Sequence, residues 1–384
     1  MPKNRSGAAA VILLLTGVFN APPALAVEMI RVALAPDLPA VTISGSPDLI
    51  LTGADGQPVA GPFTGPVEIL AAPGGLTLQG QPTDLRELTA SSAGGDLHFN
   101  DLSVGGTLHI VAYRDKLRLI NELDVEEYLK GVVPIEISPA WHPEALKVQA
   151  IIARTYALHQ RKLRLGKEYD LLATTADQVY GGRTKEHPAS DQAVAETSGL
   201  VLTYEGELIL SAYHSTSAGP TEDASGVWGM DLPYLKGVSC PFDQNSPYYQ
   251  WSKSFLMDAL QESLSKAGYA LGTIASLTPF RWTEAGRISR IRLLHAQGEL
   301  ILSAEDLRRI LGYAELPSTR FLIEKIGRDL RIQGNGYGHG VGLCQWGAKE
   351  MAEMGYSYDK ILKYYYPGGH LEPYPPFGTN DADP

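Results

Sequence analysis

Glu136 is the residue whose type and surroundings best suit acid–base chemistry. It is a single carboxyl set among Val132, Val133, Ile135 and Ile137. Aliphatic neighbours disfavour a carboxylate, so such a group holds its proton towards neutral pH. Lys147 and Arg154 follow on a predicted helix. They are seven residues apart, which puts them on one face, two turns from each other. Charges on an otherwise apolar helix need a partner or a polar cleft. Glu136 or a bound ligand would serve, although a cation beside Glu136 would favour its anion. A plain Glu136–Arg154 pair at the helix start is the structural alternative.

Two further clusters carry chemistry-bearing side chains. His214, Ser215 and Ser217 crowd beside Gly219. They suit hydrogen bonding to a polar, uncharged ligand such as a sugar, or simply a turn with capping serines. His339 lies in a run where Gly334, Gly336, Gly338, Gly340 and Gly342 alternate. In an extended chain alternate residues share a face, so one face would be bare and open to a ligand or another backbone. Trp228, Tyr234, Tyr337 and Trp346 could stack on sugar rings or fill the core.

The elements that must position these residues read as α+β. Alternating and short apolar runs at 31–34, 40–43 and 49–51, with glycine-rich turns between them, predict strands. Residues 108–111 and 117–120 predict a hairpin. A long helix begins at Pro143, which suits a first helical position, with Glu144 at the positive end of the dipole. From Ala145 to Leu158 apolar residues occupy nearly every face, so this helix is expected to be buried on most sides. Residues 190–198 read as a helical piece, and 199–210 as another hairpin. Residues 245–330 read as an inserted α/β lobe. It holds a helix at 254–267, strands at 288–294 and 300–302, and a helix capped by Ser303 that ends at Gly312. A last helix starts near Gln345 and stops at Gly355. The tail after Pro373 is rich in Pro, Asp and Asn, a composition expected to be disordered.

Composition narrows the class. A net charge of −11 argues against nucleic acid and anionic membrane surfaces as partners. Lys3 and Arg5 precede an apolar run from Ala8 to Phe19, followed by Ala24-Leu25-Ala26. That is the pattern of a secretory signal peptide over residues 1–26, too short in its apolar part for a good membrane span. Cleavage after Ala26 would take the charge to −13. No later segment is long and apolar enough to span a membrane. In an exported chain Cys240 and Cys344 are expected to form a disulfide. With His214 and His339 they would alternatively offer zinc two imidazoles and two thiolates, although no tight ligand spacing supports that set. No nucleophile-elbow sequence surrounds Ser215.

The stretch GVVPIEISPAWHPEALKVQAIIARTYA at 131–157 resembles the stage II sporulation protein D family, which includes amidase-enhancer proteins of bacterial cell walls. Residues 174–182, TTADQVYGG, resemble that family's short Q-V-Y-x-G segment. Residues 212–240 resemble its H-S-x-S-x-G-x-T motif followed by V-W-G, and 334–348 resemble its G-x-G-x-G-H-G-V-G motif. In all, the resemblance runs over residues 103–370, with 27–102 a separate β-rich region. Ser138-Pro139 departs from the family, which more often has proline nearer the glutamate. Cys240 and Cys344 each stand where the family usually has serine, which implies that these two motifs touch.

The resemblance implies a lytic transglycosylase acting on peptidoglycan glycan strands, preferably strands stripped of stem peptides. It needs no cofactor and no metal. Glu136 matches the family's catalytic glutamate. Lys147, Arg154, His214, Ser215, Ser217, His339 and Gln345 would line the cleft. The alternative reading is a module that binds peptidoglycan without cutting it and stimulates a partner amidase.

Overall fold

The computed structural model describes residues 27–325 and 327–374. The expected signal peptide, and residues 375–384 of the expected tail, lie outside the described residues.

Alternating burial drives the N-terminal half into two sheets around one core. One sheet has seven strands, in the order Leu171–Leu172, Met29–Leu38, Lys116–Asp124, Thr107–Tyr113, Glu87–Ser91, Leu49–Thr52 and Pro58–Phe63. The other has six, in the order Leu102–Val104, Asp96–Phe99, Ala40–Ser46, Val67–Ala72, Gly75–Leu78 and Gln81–Pro82. In Val41 and Ile43, or Leu108 and Ile110, every second side chain is buried, and both sheets contribute to the same cluster. The first sheet crosses the 102/103 boundary that the motifs suggest. Met29–Leu38 pairs antiparallel with Lys116–Asp124, and Thr107–Tyr113 pairs with Glu87–Ser91. The β-rich region and the motif-bearing part are therefore joined by continuous backbone hydrogen bonding.

The central helix spans Pro143–Leu163, with Pro143 in its first turn. It is buried on two faces, as its all-round apolar pattern predicts. Leu146, Ala150, Ala153 and Ala157 pack into the sheet core. Ala145, Val148, Ile151 and Ile152 pack into a second core with Val341, Leu343, Cys240 and Cys344. Residues that share a face follow the 3.6-residue period.

Residues 251–334 form a lobe around a third cluster that includes Leu260, Leu277, Ile291, Leu307 and Ile332. Its first and last strands, Trp251–Leu256 and Asp329–Gly334, pair with each other, so the lobe closes where it leaves and rejoins the chain. Ser303 caps the helix Ala304–Leu311 as its sequence predicts, its hydroxyl accepting from the Asp306 N–H. The expected helix at 254–267 is shorter, Met257–Lys266, because residues up to Leu256 are used in the closing strand. Arg287 fastens the lobe to the rest. Its buried guanidinium donates to the Ser217 and Gly338 carbonyls, both at 3.1 Å.

Two expectations need correction. The alternating glycines do not lie in an extended strand with one bare face. Gly336, Gly338, Gly340 and Gly342 all have positive φ, between 69° and 109°. Glycine is used there because the backbone turns into a region that side chains avoid. The second correction concerns the tail: Tyr374, the residue after Pro373, is still held by backbone hydrogen bonding. Pro373 pairs with Leu200, and the Tyr374 N–H donates to the Gly199 carbonyl.

Candidate active site

Glu136 is the last residue of a one-turn helix, Val133–Glu136. Val132, Val133 and Ile137 are buried and anchor that turn, while Glu136 itself is half-buried. Gly131 lets the 178–182 segment come close. A Cβ there would sit 2.6 Å from Tyr180 and 2.9 Å from the Gly182 carbonyl. The Gly181 N–H in turn donates to the Gly131 carbonyl.

Burial pushes the Glu136 carboxyl above its ordinary pKa. The Tyr213 hydroxyl, the Val179 backbone and the Gln345 amide partly oppose this by favouring the anion. Among the described residues, no lysine or arginine pairs with it. The expected influence of Lys147 or Arg154 on its charge is therefore absent, as is a Glu136–Arg154 pair.

Those two cations face away. Lys147 binds Glu144 at 3.0 Å and Glu196 at 2.9 Å. Arg154 is fully buried and grips Glu126 with two hydrogen bonds of 2.7 Å, and it also donates to the Leu200 and Val194 carbonyls. They do share a face, as the seven-residue spacing predicts, but that face packs on the helix Pro188–Glu196 and the strand Leu200–Tyr204. The residue turned towards Glu136 is Gln149. Its carbonyl oxygen accepts from Gln345 Nε2 at 3.2 Å, and the same nitrogen lies 3.5 Å from the Glu136 backbone oxygen.

A short parallel pairing brings the second and third motifs together. Tyr213 stands opposite Leu343, and His214 opposite Cys344. Successive strand residues point to opposite sides, and this sorts the site into two layers. Tyr213 points to Glu136. Behind it, Gln178 donates to the Tyr213 oxygen at 3.3 Å and accepts from the Tyr128 hydroxyl at 3.2 Å. Burial, followed by the Glu136 charge, raises the Tyr213 pKa well above its usual value, so this hydroxyl remains a donor.

His214 turns to the other layer and is fully engaged there. Its Nδ1–H donates to the Val341 carbonyl at 3.1 Å, and Nε2 accepts from the Ser217 hydroxyl at 2.7 Å. Burial first, then the neighbouring His339 and Arg287, drives its pKa well down, so the ring is neutral. His339 accepts from the Val341 N–H at 3.0 Å, and its pKa falls to about 3 through burial, with Arg308 and Arg287 adding to the effect. Its ring lies 5.7 Å from His214 and 4.9 Å from Trp228. Ser215 is half-buried. Its carbonyl accepts the Trp346 N–H, while Trp346 itself packs edge-on against Trp141.

The structure thus gathers Glu136 and Gln345 at one point, holds His214, Ser217 and His339 in the supporting layer, and takes Lys147 and Arg154 elsewhere. Sequence reasoning missed Tyr213, Gln178 and Gln149. A usable signal existed for Gln149, a polar residue on an apolar helix about half a turn from Lys147. Tyr213 was visible only as a neighbour of His214.

One prediction follows from the Tyr213 geometry. Tyr213→Phe removes a donor that favours the Glu136 anion, so the carboxyl should hold its proton to higher pH. The alkaline limb of the activity profile should move up in pH, and a limb that stays in place or moves down would contradict the contact.

Glu136 thus sits half-buried beside the Tyr213 hydroxyl and the Gln345 amide, where the motifs meet, with no cationic partner among the described residues. Comparison with known proteins agrees on the family. A family model described as stage II sporulation protein matches residues 113–204, and one described as a domain of unknown function matches 234–342. The chain is 32% identical to stage II sporulation protein D of Bacillus subtilis, with 77% of this chain and 87% of that protein aligned. It is 34% identical to an uncharacterized protein of Brachyspira hyodysenteriae, over 72% of this chain and 74% of that protein. It is 32% identical to the amidase enhancer of Bacillus subtilis, over 64% of this chain but only 40% of that protein. The chain belongs to the stage II sporulation protein D family. Its relatives support a cell-wall-related role. Among the described residues, no helix is long and apolar enough to cross a membrane.

Proposed function

We propose that this protein is an exported lytic transglycosylase that cuts peptidoglycan glycan strands, with Glu136 as both acid and base. The observation that carries this reading is the state of Glu136, a desolvated carboxyl with no cationic partner among the described residues. Burial moves such a group towards holding its proton, and the protonated form can donate to a leaving glycosidic oxygen. Hydrolytic glycosidases usually add a second carboxylate to activate water or attack the sugar. A one-carboxyl route dispenses with that second acid and needs only a group that can give a proton and take one back.

In that route Glu136 gives its proton to the leaving oxygen as the bond to C1 breaks. The resulting carboxylate takes a proton from the sugar's own 6-hydroxyl. That oxygen bonds to C1 and closes a 1,6-anhydro ring, which leaves Glu136 protonated again. Tyr213 and Gln345 stabilise the carboxylate formed midway, and Gln178 and Gln149 hold them in place. Export fits the substrate, which lies outside the cytoplasmic membrane, and the charge pattern of residues 1–26 supports it. Kinship with an amidase enhancer favours a second reading, in which the same cleft binds strands and assists a cell-wall amidase.

Cleavage of peptide-stripped strands in heavy-oxygen water separates transglycosylation from hydrolysis. The one-carboxyl route predicts new ends without heavy oxygen, because the sugar supplies its own nucleophile. One label per cut, on C1 of the new reducing end, would contradict it.

A further inference from the structure

Beneath the candidate active site lies a cluster that the reaction does not use. Cys240, Asp243 and Cys344 are all buried, at 3%, 1% and 0% exposure. Their two sulfurs and a carboxylate oxygen lie within 4.8 Å of one another. The alternative zinc set, which paired the cysteines with His214 and His339, does not assemble. His214 is held by Val341 and Ser217, and Asp243 takes the place near the sulfurs. The two cysteines are free thiols, not the expected disulfide.

We propose that Cys240, Asp243 and Cys344 bind one zinc-class divalent cation. Four observations support the assignment. Cys344 Sγ and Asp243 Oδ2 are 3.3 Å apart, close to the roughly 3.5 Å that ligands keep around tetrahedral zinc. Asp243 Oδ1 has no hydrogen-bond partner, although its residue is buried. Among the described residues no lysine, arginine or histidine pairs with Asp243, so a cation would supply the counter-charge that a buried carboxylate calls for.

The fourth observation is that the backbone already prepares the site for anions. The Ser217 and Gly347 N–H groups both point at Cys344 Sγ, at 3.4 Å, and Cys344 caps the N-terminus of the helix Gln345–Glu353. The Ser217 and Ala218 N–H groups donate to Asp243 Oδ2, at 2.7 and 2.8 Å. On the far side the Tyr365 hydroxyl lies 3.3 Å from Cys240 Sγ, where it can donate to a thiolate.

Two thiolates with one carboxylate select a soft, borderline ion over calcium or magnesium. Binding releases the two thiol protons to solvent. The ion would pin the 240–243 segment to Cys344, whose neighbour Gln345 bears on Glu136. A disulfide would use the sulfurs alone and leave Asp243 Oδ1 without a partner.

The test is elemental analysis of the full mature chain, purified with zinc under reducing conditions and then desalted. The expected result is about one zinc per chain. Asp243→Asn should lower affinity by more than about tenfold. Cobalt in place of zinc should give sulfur-to-metal charge-transfer absorption in wild type, lost in Cys240→Ser. A wild-type chain without stoichiometric zinc overturns the proposal. That holds whether its thiols titrate freely without a chelator or only after reduction, the latter marking a disulfide. Wild-type metal content is independent of how well any variant folds.

Discussion

Glu136→Gln is expected to lower strand cleavage by about 10²- to 10⁴-fold, the usual contribution of a general acid–base group. Glutamine keeps the size and can still accept from Tyr213, but it cannot deliver a proton or take one. The same change should not harm the fold. Burial raises the Glu136 pKa in the folded chain, so the folded state binds that proton more tightly than the unfolded chain. The stability this confers is full below the unfolded pKa of about 4.3 and is lost as pH rises through the folded value. At neutral pH an ionised Glu136 therefore costs stability, and glutamine carries no such cost. Urea unfolding should show Glu136→Gln at least as stable as wild type at pH 7, with its advantage shrinking towards pH 4. A variant destabilised at pH 7 would contradict the desolvated-acid picture.

Arg154→Ala is expected to destabilise the chain by about 3–5 kcal/mol, the loss typical of breaking a buried ion pair from one side. Three acceptors lose a charged donor together: the Glu126 carboxylate and the Val194 and Leu200 carbonyls. The Gly199 N–H also donates to Glu126, so the turn before the strand Leu200–Tyr204 depends on the same carboxylate. Denaturant unfolding would measure this directly. A loss below about 1 kcal/mol, the range of exposed pairs, would show that the pair does not act as a buried clamp.

Much of the fold was legible in the sequence because its periods are clean. The central helix, the hairpin at 107–124 and the capped helix in the lobe all follow from apolar spacing and from Pro143 and Ser303. The alternating glycines misled, because an i, i+2 pattern has the same spacing whether residues alternate along a strand or turn into positive φ. At the site, residue type drew attention to charged and imidazole side chains. Lys147, Arg154, His214 and Ser217 are bound to protein partners instead. Pairing partners such as Glu126 and Glu196 come from elsewhere in the chain, and no local pattern announces them. Tyr213 and Gln178 contribute through contacts made only when the 178–182 segment folds onto Gly131. Asp243 is close to Cys240 in sequence, but it meets Cys344 only through the packing of segments 101 residues apart.

The most direct test of Glu136 as sole acid and base is mass spectrometry of peptide-stripped glycan strands incubated with the mature protein or with Glu136→Gln. The wild type should give fragments with 1,6-anhydro ends, and the variant should leave the strands intact. Anhydro ends produced equally by both proteins would contradict it, as would strands left intact by the wild type while they co-sediment with it.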